Sequence, residues 1–124
     1  MNKSSFHLSL KVLDLDKTKT FYSDVLKGKV TYESPDGWFN IEVFGHQLTF
    51  HVDPSFDIST MGSFHWGFNL SQENFEELAS IIENSSKCSF VMKPSVLDEG
   101  TSQERRKMTF KDPSGYLIEV KFLN

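Results

Sequence analysis

At 124 residues the chain has room for one compact domain with a true core, and 38% hydrophobic with 24% charged residues argues for a soluble globular protein over a disordered or membrane-embedded one. A net charge of −4 leaves no basic footprint for nucleic acid. Twelve phenylalanines suit an aromatic-packed sheet protein, and the single cysteine, Cys88, excludes an intramolecular disulfide and a Cys-based zinc site; Cys88 reads as a small buried residue.

From Met1 onward no apolar run is long enough for a signal peptide or a spanning helix, so a cytoplasmic protein without a membrane partner is expected. Phe6 to Val12 alternates strictly and predicts a strand. Asp16 to Lys27 predicts a helix, with Phe21, Tyr22, Val25 and Leu26 on one face, Asp16 as its cap and Gly28 as its stop. Strands follow at 29–34, at 38–44 after Pro35-Asp36-Gly37, and at 46–53 after Gly45.

The second half repeats this plan. A strand over 63–70 leads to Ser71 as an N-cap, and Phe75, Leu78, Ala79 and Ile82 recur at helical spacing. Strands are then predicted near 88–93, 104–111 and 115–122, with a polar loop at 94–103 placed to close over a cleft and a turn at Asp112-Pro113-Ser114-Gly115. The order β-α-β-β-β thus occurs twice, with Phe6-His7-Leu8 echoed by Phe64-His65-Trp66, as duplication of one unit would leave it. Residues 1–124 read as one domain of two modules, 1–60 and 61–124.

Strand parity sorts the side chains. Leu8, Leu10 and Val12 oppose His7 and Ser9; Leu48, Phe50 and Val52 oppose Gln47, Thr49 and His51. Trp66 and Phe68 oppose His65, Gly67 and Asn69; Ile118, Val120 and Phe122 oppose Glu119 and Lys121. Every metal-capable residue of these four strands except His46 lies on the face away from the helices. Two imidazoles and a carboxylate, His7, His65 and Glu119, form an incomplete metal shell with positions open for substrate, water or O₂. Taken singly, each is an ordinary solvated or hydrogen-bonded strand residue; the joint occurrence at matching places of two repeats favours a metal.

Phe6-His7-Leu8, Asp14-Leu15-Asp16, Phe21-Tyr22 with Asp24-Val25-Leu26, and the closing Asp112-Pro113-Ser114-Gly115-Tyr116-Leu117-Ile118-Glu119 resemble the vicinal oxygen chelate superfamily, which includes glyoxalase I, extradiol dioxygenases and the bleomycin- and fosfomycin-resistance proteins. Phe44-Gly45-His46-Gln47, His51-Val52-Asp53-Pro54, His65 with Gly67, and Met108 leading into Asp112 are similar to a small extradiol dioxygenase-like group. The resemblance implies an α+β fold in which two βαβββ modules form a curved mixed sheet around a cleft. It implies a divalent metal, with Fe(II) favoured and Zn, Ni or Mn as alternatives, held by His7, His65 and Glu119. Gln47 matches the place of a fourth ligand, and His51 is either a ligand or the proton-transfer residue.

Tyr116 departs from the group's usual asparagine. Arg105 and Lys107 stand where the group usually has uncharged residues, and by parity with Met108 and Phe110 they point into the cleft, either to bind an anionic substrate or as solvated edge-strand charges. The implied activity is dioxygenase chemistry on a small substrate that chelates the metal through adjacent oxygens. The alternatives are a metal-dependent isomerase or lyase, and a metal-free binder in which Trp38, Phe39 and Trp66 supply aromatic walls. Asn69 joins Trp38, Arg105 and Lys107 as a candidate substrate contact, and a homodimer is expected by resemblance.

Overall fold

The computed structural model describes residues 4–123; Met1, Asn2 and Lys3, read above with the N-terminal segment, lie outside them. In chain order the elements are β1 (His7–Val12), α1 (Leu15–Asp24), β2 (Lys29–Ser34), β3 (Trp38–Val43), β4 (His46–Val52), a 3-10 turn at Ile58–Met61, β5 (His65–Asn69), α2 (Gln72–Glu83), β6 (Phe90–Leu97), β7 (Arg105–Lys111) and β8 (Leu117–Leu123). Two compact units result, one ending at Asp57 and one beginning at Ile58. Each carries its own helix and a four-stranded mixed sheet, ordered β1-β4-β3-β2 in the first and β5-β8-β7-β6 in the second. In both, the first strand pairs parallel with the last, and the remaining pairs are antiparallel.

Each helix buries its apolar stripe on its own sheet. Phe21, Tyr22, Val25 and Leu26 pack with Phe39, Ile41, Leu48 and Phe50, all at most 3% exposed, and the Tyr22 and Phe50 rings lie 4.6 Å apart. In the second unit Phe75, Leu78 and Ile82 join Met108, Phe110, Ile118, Val120 and Phe122, with Phe75 edge-on to Phe122 at 4.8 Å. Each such side chain contributes roughly 1.5–3 kcal/mol by leaving water. One face of each sheet is therefore committed to the core, and alternation hands the other face to the polar residues.

Local chemistry sets the element ends, and in two elements, α1 and β6, it departs from the sequence expectation. The cap of α1 is Asp14, not Asp16: the Asp14 carboxylate accepts from the Lys17 amide at 2.9 Å, and Asp16 lies in the first turn, where its charge favours the helix N-terminus. The helix also ends before Lys27, which turns left-handed at φ 56° while the Gly28 amide bonds the Tyr22 carbonyl at 2.9 Å. Ser71 caps α2 as predicted, accepting from the Asn74 amide at 3.2 Å. The second departure is β6, which continues through Pro94 to Leu97, so the loop before β7 is shorter than 94–103. Pro94 is tolerated because β6 is an outer strand and the ladder skips from Met92 to Ser95. Between β3 and β4 the hairpin turns on Phe44 and Gly45, both at positive φ, a tight turn that suits glycine. At the mouth of β8 the buried Asp112 carboxylate accepts from the Ser114 and Tyr116 amides at 3.0 and 2.9 Å, and Tyr116 itself is a core residue.

Candidate metal centre

In the second unit, parity and register bring His65 and Glu119 together. Glu119 on β8 is the partner of Gly67 on β5, one same-face position beyond His65, and glycine puts no side chain between them. His65 Nε2 stands 3.9 Å from Glu119 Oε2. The other ring nitrogen, Nδ1, is 3.2 Å from the Ser63 carbonyl oxygen. A carbonyl only accepts, so that hydrogen bond places a proton on Nδ1 and turns Nε2 toward the carboxylate. In the neutral ring two electron-pair donors then face each other. Two ligand bonds of about 2.0–2.2 Å reach across such a gap only at a wide angle, so a small rotation of either side chain is what lets the pair share a divalent cation.

Glu119 is also held by two ammonium groups. Lys107 on β7 donates to Oε1 at 2.7 Å, and Lys121 on β8 lies 3.6 Å from Oε2. The Lys107 hydrogen bond, foremost, holds the Glu119 carboxyl below the usual range; partial burial opposes it, and the charges of Lys107, Lys121 and His65 add to the lowering. β7 is flanked by β8 and β6, so Lys107 is not an edge-strand charge. Beside the carboxylate a cavity of about 230 Å³ opens, with His65, Gly67, Asn69, Glu119 and Lys121 among its walls. Asn69 is thus placed at the site. Arg105, at the far end of β7, is instead tied to Asp98 and the Gln103 carbonyl.

The first unit arranges its candidates differently. His7 and Gln47 are direct register partners on β1 and β4, so their side chains leave neighbouring backbone positions on the same face. His51 pairs with Lys11 and Trp38, four residues or about 13 Å along the strand from Gln47. Its ring leans on Trp38 at 6.0 Å, and Trp38 on Tyr32 at 5.3 Å, forming an aromatic strip. His46 faces the other way, its Nδ1 accepting from the Phe6 amide at 2.9 Å. No group of three or more His, Cys, Asp or Glu side chains able to hold a metal forms among the described residues; what the fold assembles within its units is pairs.

Two residues matter more than their sequence context suggests. Lys121 is closer to Glu119 Oε2 than His65 is, and its parity with Glu119 was the available signal. Thr49 occupies the rung of β4 that Glu119 occupies on β8, since Ser9 pairs with Thr49 as Gly67 pairs with Glu119. Its hydroxyl donates to the Asn40 side-chain oxygen at 2.6 Å, and only the register reveals the equivalence.

Comparison with known proteins places this architecture. A glyoxalase/bleomycin resistance protein/dioxygenase from Alicyclobacillus acidocaldarius superposes with a TM-score of 0.83 at 28% identity, over 97% of this chain and 91% of that one. The fosfomycin resistance protein FosX from Listeria monocytogenes superposes at 0.75 with 18% identity, over 100% and 96%. A mutant of that FosX, complexed with Mn(II) and 1S,2S-dihydroxypropylphosphonic acid, gives 0.70 at 19% identity, over 97% and 90%. No curated protein matches. The family model for the Glyoxalase/Bleomycin resistance protein/Dioxygenase superfamily matches residues 5–120, and the chain belongs to that superfamily.

Proposed function

We propose that the chain is a metal-dependent enzyme that acts on a small molecule chelating a divalent ion through adjacent oxygens, with dioxygenase-type chemistry as the leading reaction. The observation that carries this reading is His65 Nε2 facing Glu119 Oε2 across 3.9 Å, with Nδ1 committed to a backbone carbonyl. In this reading His65 and Glu119 hold the ion, and the resemblance implies His7 and its register partner Gln47, in the first unit, as further ligands. The ion, when bound, supplies Lewis acidity to the chelating oxygens, or a site for O₂ if it is Fe(II). Lys107 holds the carboxylate in place, Asn69 contacts substrate, and His51 is the proton-transfer residue. The FosX complex supports the reading because it pairs a divalent ion with a ligand bearing both adjacent hydroxyls and an anionic group.

The test is anaerobic purification, elemental analysis, and oxygen-uptake assays on catechols with Fe(II). Uptake that requires Fe(II) and is lost in Glu119→Gln is the expected result. Its absence alongside Ni²⁺- or Zn²⁺-dependent isomerisation assigns the chain to the isomerase or lyase branch. The aromatic strip Tyr32, Trp38 and His51 favours one further reading, a metal-free small-molecule binder. Ligand affinity that is unchanged by a chelator decides for that binder.

A further inference from the structure

Lys107 and Lys121 are direct register partners on β7 and β8. Like charges opposite each other destabilise a sheet unless something offsets them. Here Glu119 does so, but unequally. Lys107 Nζ is within hydrogen-bond distance of Oε1 at 2.7 Å, whereas Lys121 Nζ stands 3.6 Å from Oε2 without a hydrogen bond to it. Oε2 is also the oxygen that faces His65 Nε2. Lys121 thus supplies positive charge to the same carboxylate oxygen that a metal ion bound at Nε2 would use. Lys121 is a third exposed, on a flexible stem, beside a cavity of about 230 Å³. Two ammonium groups share one carboxylate, so a divalent ion arriving there leaves a strong excess of positive charge that calls for an anion.

Building on the metal-dependent reading above, we propose that the Lys121 ammonium is the placeholder for a divalent cation at the Glu119–His65 pair and, once displaced, the contact for an anionic group of the substrate. Lys107, by contrast, is a positioning residue: it fixes Oε1 and so aims Oε2 at the ion. The two lysines have opposite effects on metal affinity, which simple charge repulsion does not predict.

Mn(II) titrations by calorimetry on wild type, Lys121→Met, Lys121→Gln, Lys107→Met and Lys107→Arg, each checked for folding by circular dichroism, test this. The Lys121 variants bind Mn(II) about tenfold more tightly, while Lys107→Met binds about tenfold more weakly and Lys107→Arg restores wild-type affinity. Sulfate serves as the anion probe. Mn(II) raises sulfate affinity in wild type and does so much less in Lys121→Met, the reciprocal of the same coupling. Unchanged or weakened Mn(II) affinity in both Lys121 variants overturns the placeholder while leaving metal binding intact. Tighter binding in Lys107→Met overturns the positioning role, and an undiminished sulfate response in Lys121→Met overturns the anion contact. Failure of every folded variant and the wild type to bind Mn(II) overturns this proposal together with the metal-dependent reading.

Discussion

The two units share one βαβββ plan and spend their open sheet faces on different chemistry. The second gathers charge: His65, Glu119, Lys107 and Lys121 lie within one ionic cluster. The first gathers rings, with Tyr32, Trp38 and His51 in contact, and puts Thr49, a buried hydroxyl bonded to Asn40, where its counterpart puts Glu119. Histidine is common to both first strands; the last strand decides what stands beside it. A duplicated scaffold thus keeps the backbone arithmetic and diverges at single rungs.

The sharpest contrast lies between Ser9 and Gly67, the rung partners of Thr49 and Glu119. A Cβ at Gly67 would come within 1.7 Å of the Glu119 carbonyl oxygen, so the backbones of β5 and β8 approach too closely for any side chain there. Gly67→Ala should cost about 3 kcal/mol, and Ser9→Ala, at an exposed position, less than about 0.5 kcal/mol, both read from urea midpoints. Equal costs would mean that the two parallel pairs are built alike.

Metal retention should separate the units next. Glu119→Gln loses about 100-fold in Mn(II) affinity, whereas His51→Ala, four residues from the His7 rung, leaves it within about twofold. Calorimetry that shows His51→Ala as damaging as Glu119→Gln would move the centre to the aromatic strip. Smaller effects test the two helix caps. Asp14→Ala and Ser71→Ala should each cost about 1 kcal/mol, and Asp16→Ala only a few tenths.

Burial pushes the Cys88 thiol of the second unit up to about 11, from 9.0, so the folded protein resists alkylation at pH 8 and reacts on unfolding. Because the folded value is the higher one, this group's contribution to stability is complete below pH 9.0 and is lost as pH rises toward 11. Stability that increases over that interval, measured by denaturant titration, would contradict the burial of Cys88.

Much of this molecule is legible in its residue order because the side-chain period of a strand is two. Alternation in four strands sorts His7, His51, His65 and Glu119 from the apolar core positions, and the burial pattern agrees at each. It also separates His46. Helix caps are less secure: Asp14 and Asp16 are both plausible caps by type, and only backbone geometry selects the one whose carboxylate reaches an amide. Pro94 reads as a loop residue until an outer strand with a skipped rung accommodates it.

What the residue order determined by itself is the face each side chain occupies and the repetition of one supersecondary unit, since both follow from local periodicity. Register is a property of pairing between distant strands, so it took tertiary structure to oppose Gly67 to Glu119, to place Thr49 at the matching rung, and to set two lysines on separate oxygens of one carboxylate. The Ser9–Thr49 and Gly67–Glu119 pairings join segments dozens of residues apart, Lys107 reaches Glu119 across the β7–β8 hairpin, and no local pattern encodes which rung meets which.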